Sequence, residues 1–118
     1  MKKELERRLI NLAILINSIC NRLDQCYLSY HLAKQITRSS TSAALNYGEA
    51  QVAESRKDFI HKISISLKEL KETSITLKLL DNKAKGSLKE NIIVAMNECD
   101  QMVAIFHKTV LTARKNIK

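Results

Sequence analysis

The stretch from Gln35 to Leu80, QITRSSTSAALNYGEAQVAESRKDFIHKISISLKELKETSITLKLL, decides the fold of this 118-residue chain. Small and apolar side chains recur along it at helical spacing, in a pattern that begins just before it. The first run is Leu32, Ile36, Ser39, Ala43 and Ala50, and the second is Ile60, Ile63, Leu67, Leu70, Ser74 and Leu77. Such spacing places each run on one face of a helix. The stretch therefore predicts two long amphipathic helices, and the small residues of the first let a partner helix approach closely.

Apolar patterns of the same kind flank this stretch on both sides. The first helix carries Leu5, Leu9, Leu12, Ile16, Ile19 and Leu23, and the last carries Ile92, Met96, Cys99, Val103, Phe106 and Val110. Ile10 and Ile14 lie off the first stripe, so that helix is apolar over more than one face. We predict helices over about residues 3–23, 29–53, 56–81 and 88–115.

Three serines mark predicted helix starts. Ser29 is placed to cap the second helix, and Ser55 is followed three residues later by Asp58, close to a capping box. Ser87 with Glu90 completes the capping-box pattern for the fourth helix. The connections between helices are therefore short, which makes neighbouring helices antiparallel.

The composition agrees with a helical protein. The chain has no proline and two glycines, and proline would break helix interiors. A chain of this length forms one domain. We therefore predict an all-α fold, an antiparallel up-and-down four-helix bundle that occupies residues 1–118 as a single domain.

Charge and cysteine content bound the partners and the compartment. The net charge is +8 and the pI is about 9.6, a balance that favours acidic partners such as nucleic acid. The odd count of three cysteines fits a reduced compartment better than a disulfide framework. The apolar run at residues 9–16 is too short to span a bilayer. We expect a cytoplasmic protein that makes no membrane contact.

A polar stripe lies on the second helix beside its apolar face. It consists of Gln35, Arg38, Ser42, Asn46 and Glu49, spaced three and four residues apart. Three interpretations are open. The stripe is a polar network between subunits that fixes their register, a ligand or nucleic-acid surface centred on Arg38, or an ordinary solvated face. We favour the network.

Basic side chains form a second candidate site. Four lysines, Lys57, Lys68, Lys71 and Lys78, fall within an arc of about 80° on the third helix. They are either a track for phosphates or a solvated face. Ile75 and Leu79 lie among these lysines, away from the core, and an apolar pair there suits a subunit interface.

The end of the fourth helix is also basic. Its cations are Lys108, Arg114, Lys115 and Lys118. They are placed to bind phosphates, and Arg114 and Lys115 are the two that we assign to the candidate nucleic-acid site. Cations near a helix C-terminus are also stabilised by the helix dipole without any ligand. Both interpretations stay open.

Catalytic and metal sites are weakly supported. Asp58 and His61 place two possible ligands on adjacent turns, but bundle metal sites need two such motifs and further glutamates. Cys99 lies on an apolar face and Cys20 at its edge, where core residues are expected, and no glycine-rich phosphate loop occurs. We expect no enzyme, no cofactor and no metal.

These residues resemble the 23S rRNA intervening-sequence protein family, a group of small bacterial four-helix-bundle proteins. The matching positions are Gln35-x-x-Arg38-Ser39, Ser42-x-x-x-Asn46-x-x-Glu49-Ala50, Lys57-Asp58-Phe59, Lys68-Glu69 and Glu72-Thr73. They cover roughly residues 30 to 80. One departure is that many members carry an aromatic pair where this chain has Ile75 and Thr76.

The resemblance implies a four-helix bundle, usually a ring-shaped homopentamer, with no established enzymatic activity. Related proteins include the accessory subunit of diversity-generating retroelements, which binds nucleic acid and a reverse transcriptase. The leading hypothesis is thus a non-catalytic, oligomeric protein that binds RNA or DNA phosphates, as an accessory to an RNA-processing or reverse-transcribing partner. The alternative is an oligomeric scaffold that binds another protein and no nucleic acid.

Overall fold

The computed structural model describes residues 2–116 as four long helices joined by short connections. The helices are α1 (Lys2–Cys20), α2 (Tyr27–Gln51), α3 (Arg56–Lys83) and α4 (Gly86–Lys115). No strand occurs within the described residues. The expected all-α class is confirmed, and so is the number of helices. No helix in this part of the chain combines the length and apolar content that crossing a bilayer requires.

The helices pack as a ring of antiparallel neighbours. Side-chain bonds join Arg38 of α2 to Glu69 of α3, whereas Glu49, later in α2, bonds to Lys62, earlier in α3. Helix α3 contacts α4, and α4 returns to contact α1. The bundle measures 50 × 21 × 20 Å, because each helix runs along the long axis. The arrangement is that of an up-and-down four-helix bundle.

The core contains the apolar residues at the predicted helical spacing. Leu9, Ile16, Ile36, Leu70 and Phe106 are each at most 1% exposed. Burying one such side chain stabilises the fold by roughly 1.5–3 kcal/mol. On α4 the buried stripe includes Ala95 and Met102, whereas the predicted Met96 and Val103 are only partly buried.

The seam between α2 and α3 is narrow and contains hydroxyls. Ser39 Oγ lies 2.7 Å from Thr73 Oγ1, and Ser66 Oγ donates to the carbonyl of Ala43 over 2.7 Å. These side chains are buried, so each hydroxyl has the partner that a buried polar group needs. The small residues of α2 are buried as expected, and the seam fixes how α3 is rotated.

One predicted helix start is confirmed. Ser55 precedes α3 in an extended conformation, and its side chain accepts a hydrogen bond from the backbone N–H of Asp58 at 3.0 Å. This bond satisfies one of the N–H groups that a helix start leaves without a partner. Asp58 lies in the first turn, where the helix dipole favours an acidic residue.

The other two predicted caps are wrong. Cys26, not Ser29, caps α2, and its sulfur accepts from the N–H of Ser29, which is buried in the first turn. Helix α4 begins at Gly86 after Lys85, which makes no side-chain cap bond. Ser87 instead accepts a hydrogen bond from the Arg22 guanidinium at 2.7 Å. Tertiary contacts therefore override local cap preference at both sites.

Helix ends differ from prediction by two or three residues. Helix α1 ends at Cys20 rather than near residue 23, because the N–H groups of Arg22 and Leu23 bond three residues back and close a tight turn. Helix α2 ends at Gln51 and α3 continues to Lys83. Gly86 has a φ of +62°, a value that glycine adopts without strain, so the chain turns into α4 after a connection of only two residues.

Candidate nucleic-acid interface and subunit contacts

The four lysines of the predicted track lie on the outward face of α3. Lys57, Lys68, Lys71 and Lys78 are all exposed, and they lie on the side of the helix away from its buried residues. At 1.5 Å per residue they span about 31 Å along the helix axis. We call these four residues the lysine face.

No member of the lysine face has an acidic partner. Within residues 2–116, no carboxylate lies within ion-pair distance of any of the four, whereas Lys62 of the same helix is bonded to Glu49 at 2.7 Å. Charge segregation explains the difference, because Glu69 and Glu72 lie on the arc that faces α2. The charges of the lysine face are therefore available to an external anion.

The basic end of α4 lies at the same end of the bundle as Lys57. Lys108, Arg114 and Lys115 are exposed and have no ion pair among residues 2–116. Because α3 and α4 are antiparallel, the start of α3 meets the end of α4. A groove of about 590 Å³ between them is lined in part by Arg56, Phe59 and Lys108. Lys118, also predicted here, lies outside the described residues.

Arg56 is a basic residue that the sequence analysis did not select. It stands one residue before Lys57 and contributes to the groove that Lys108 also lines. Its position in the first turn after Ser55 was the available signal. Because α3 and α4 are antiparallel, the first turn of α3 lies beside the basic end of α4.

The predicted apolar interface residues are exposed. Ile75 is 61% and Leu79 is 50% exposed, and both lie among the lysines of α3. Beside Ile75, a shallow pocket of about 240 Å³ is also lined by Gln35 and Leu32 of α2. The pocket joins the start of the polar stripe to Ile75, one member of the apolar pair. Their role as a subunit interface stays a prediction.

The polar stripe of α2 is largely bonded within its own chain. Arg38 bonds to Glu69 at 3.1 Å and to Glu72 at 2.7 Å, and Glu49 accepts from Lys62. Asn46 donates to the Ser42 carbonyl at 2.9 Å and lies 3.1 Å from the Ser42 hydroxyl. Gln35 makes no side-chain hydrogen bond within residues 2–116.

These bonds shift the pKa values of Glu72 and Arg38. Hydrogen bonds with Glu69 and then with Arg38 lower the pKa of Glu72, and Glu72 raises the pKa of Arg38 in return. Arg38 therefore stays charged, and two carboxylates of its own chain already neutralise it. The sequence analysis missed these two partners. A network between subunits stays a prediction for the stripe.

A second exposed apolar surface lies between α1 and α2. Ile14 is 63%, Leu45 is 67% and Ile10 is 45% exposed, and the three line a groove of about 460 Å³. The sequence pointed to this surface through Ile10 and Ile14, which lie off the core stripe of the first helix. Soluble proteins seldom leave such side chains clustered on a surface without a contact to make.

Metal-binding side chains do not gather in the part of the chain that the structure describes. Within residues 2–116, no three His, Cys, Asp or Glu side chains lie close enough together to hold a metal ion. His61 is exposed beside Asp58 without further ligands. Burial raises the pKa of the Cys99 thiol to about 12, so that thiol stays protonated.

Comparison with known proteins identifies relatives of the whole bundle. No curated protein matches the chain. A solved structure from Bacteroides thetaiotaomicron, described as a protein of unknown function from the S23 ribosomal protein family, is 28% identical. It matches 93% of this chain and 98% of its own, with a TM-score of 0.79. The family model of the 23S rRNA-intervening sequence protein matches residues 2–108. The resemblance noted in the sequence is confirmed, and the chain belongs to the 23S rRNA-intervening sequence protein family.

Proposed function

We propose that this protein is a non-catalytic, oligomeric nucleic-acid-binding protein. It binds the phosphates of RNA or DNA through the lysine face and through Arg114 and Lys115 at the end of α4. Its assembly is a homopentameric ring, as the family resemblance implies. It acts beside an RNA-processing or reverse-transcribing protein in the cytoplasm.

One observation carries this proposal. The six basic side chains of the candidate site are exposed and have no acidic partner within residues 2–116, although neighbouring cations such as Lys62 and Arg38 do. The four lysines are spread over about 31 Å of helix, and no existing ion pair has to break before they bind an anion. Phosphates that bind there release condensed counterions, which drives association at low salt.

Binding through this face is a backbone contact with little base recognition. The exposed aromatic residues Tyr27 and Tyr30 belong to the start of α2, and the lysine face itself contains none. Proteins that grip single strands stack bases on aromatic side chains. Sequence-independent contact with a structured RNA or a duplex therefore suits this surface better.

Oligomer formation has its own support. In the single chain Ile75 is 61% exposed and Leu79 is 50% exposed. Burying them between subunits removes this apolar surface from water, which stabilises the assembly. A ring also gathers several copies of Lys57, Arg114 and Lys115, which lie at the far end of α3 from that apolar pair and stay exposed when the pair is buried. Multivalent contact raises the overall affinity without any new residue.

The test is a fluorescence-anisotropy titration of the purified protein against a structured RNA, a duplex DNA and a single-stranded DNA. Each titration is run at low and near-physiological salt, and light scattering on the same sample gives the mass of the assembly. The proposal expects saturable binding of structured or duplex nucleic acid that weakens with salt but persists near the physiological level. Absence of binding, or binding lost on a small rise in salt, contradicts it.

The second candidate is a protein scaffold without nucleic-acid binding. The exposed apolar groove of Ile10, Ile14 and Leu45 favours it, because apolar surfaces of this kind suit protein contacts. Salt separates the two functions. An apolar contact is insensitive to salt, whereas phosphate binding weakens steeply as salt rises.

A further inference from the structure

A cavity at the opposite end of the bundle holds two thiols. The groove of about 620 Å³ lies where α1 joins α2, and its walls include Cys20, Cys26 and the phenol-bearing residues Tyr27 and Tyr30. It is open to solvent, and it is separate from the end of the bundle where α3 begins and α4 stops. A small molecule has room to enter beside these two residues.

Donors converge on the sulfur of Cys26. Lys83, in the last turn of α3, places its Nζ 3.0 Å from Cys26 Sγ, and the backbone N–H of Ser29 donates to the same sulfur over 3.4 Å. Because Cys26 caps α2, its side chain also meets the positive end of that helix dipole. Asp24 is the one acidic group in the cluster, and Lys83 also pairs with it at 3.2 Å.

The three thiols of the chain differ in their readiness to ionise. Hydrogen bonds with Ser29 and then Lys83 lower the pKa of Cys26, and they outweigh first desolvation and then the charge of Asp24, which both raise it. Burial raises the pKa of Cys20 and, more strongly, that of Cys99. Thiolate is the nucleophilic form, so the contacts of Cys26 favour it as a nucleophile over Cys20 and Cys99.

We propose that Cys26 is a site of thiol modification and that the cavity beside it receives small disulfides. The Cys26 thiolate attacks one sulfur of the disulfide, a new S–S bond forms at Sγ, and the original S–S bond breaks. The departing half leaves as a thiolate, and it takes a proton from water only where its pKa lies above the pH. Cys26 is oxidised and the departing half is reduced, so no further oxidant is needed.

Modification at this sulfur alters the junction between two helices. A mixed disulfide removes the negative charge that Lys83 contacts, and it displaces the acceptor that caps the first turn of α2. The link between the start of α2 and the end of α3 is therefore weakened when Cys26 is modified.

The test treats the full chain with 5,5′-dithiobis(2-nitrobenzoic acid), a small aromatic disulfide, and follows the released thiolate by absorbance. Peptide mass mapping then locates the adduct. We expect a fast phase at near-neutral pH that modifies Cys26 and disappears in Cys26→Ser. In Lys83→Met the midpoint of the pH–rate profile moves up. The neutral rate falls by roughly threefold for each unit that the pKa rises, because the thiolate fraction falls about tenfold while each thiolate becomes more nucleophilic.

Lys85→Met is the matched control, because it removes the same charge two residues away without any contact to Cys26. Its profile should equal that of the unmodified sequence. If Cys26→Ser does not fold, the two lysine variants still decide, since both keep the capping sulfur. Modification of Cys20 as fast as Cys26, or a Lys83→Met profile that does not move, overturns the proposal.

Discussion

The two faces of α3 both contain polar side chains, but the two sets differ in whether they have bonding partners. On the face toward the other helices, five buried polar residues are all bonded: Ser66, Glu69, Thr73, Ser74 and Thr76. On the outward face, the four lysines have no acidic partner among residues 2–116. On the first face, four of these groups bond to α2 or α4, and Thr76 bonds to the Glu72 carbonyl of its own helix. The second leaves its charges free, which is the arrangement that binding an external anion requires.

Charge reversal of the lysine face should have the largest effect. Replacing Lys57, Lys68, Lys71 and Lys78 by glutamate turns phosphate attraction into repulsion, so we expect nucleic-acid affinity to fall by at least about 100-fold in low salt. Circular dichroism and the thermal midpoint should stay close to those of the parent, since none of the four is buried or paired.

A matched control isolates position from total charge. Lys34→Glu on α2 makes the same change per residue as Lys68→Glu, but Lys34 lies over the Tyr30 ring, away from the lysine face. Lys34→Glu should weaken binding less than Lys68→Glu does. Equal losses would mean that net charge, rather than the outward face of α3, governs binding.

Assembly should depend on the apolar pair of the same outward face. The double variant Ile75→Ser with Leu79→Ser makes that surface polar, so the mass from light scattering should fall toward that of one chain. Ile14→Ser with Leu45→Ser is the comparison variant, because it changes the other exposed apolar surface to a similar degree. If only the comparison variant dissociates the assembly, the interface lies between α1 and α2 instead.

The inner face should respond in stability rather than binding. Arg38→Met leaves Glu69, whose side chain is 11% exposed, without its cationic partner, and we expect the free energy of unfolding to fall by more than it falls in Glu72→Gln. Urea denaturation measures this. Glu72→Gln should cost less than about 1 kcal/mol, since that pair is largely solvated. If Glu72→Gln lowers the free energy of unfolding more than Arg38→Met does, the ion pair between Arg38 and Glu69 does not stabilise the fold.

The smallest effect concerns acid. The Arg8 guanidinium holds the pKa of Glu98 below its ordinary value. A carboxyl with a lowered folded pKa adds stability that is complete above its unfolded pKa of about 4.3 and is lost as pH falls through the folded pKa. Because this pair is partly exposed, we expect less than about 1 kcal/mol. Glu98→Gln should flatten the acid side of a stability–pH curve by that amount, and an unchanged curve would contradict it.

Sequence patterns predicted most of the fold but not its terminal details. Apolar spacing placed α3 correctly because a buried stripe is a property of the helix itself, and Ser55 caps α3 because nothing competes for its hydroxyl. Ser87 failed as a cap because Arg22, 65 residues earlier, takes its oxygen. Ser29 lies one turn inside α2, where Cys26 and Asp24 surround it. Competition for a capping hydroxyl depends on which loops come together in the folded chain. The sequence around the cap does not contain that information.

The candidate site was predictable to the extent that it lies on one helix. Helical spacing alone brought the four lysines and the apolar pair to one face. It could not show that Arg38 is neutralised by Glu69 and Glu72, because those contacts depend on the rotation of α3 in the seam. Nor could it place Arg56 beside Lys108, which needs the antiparallel packing of two helices.

The salt dependence of nucleic-acid affinity tests the central claim most directly. The measurement compares the slope of log K against log salt for the parent chain and for a variant with Lys57, Lys68, Lys71 and Lys78 changed to glutamine. Each phosphate contact contributes about 0.9 to the slope, so losing four should flatten it by roughly 3 to 4 for each engaged chain. An unchanged slope would show that the lysine face does not touch phosphate.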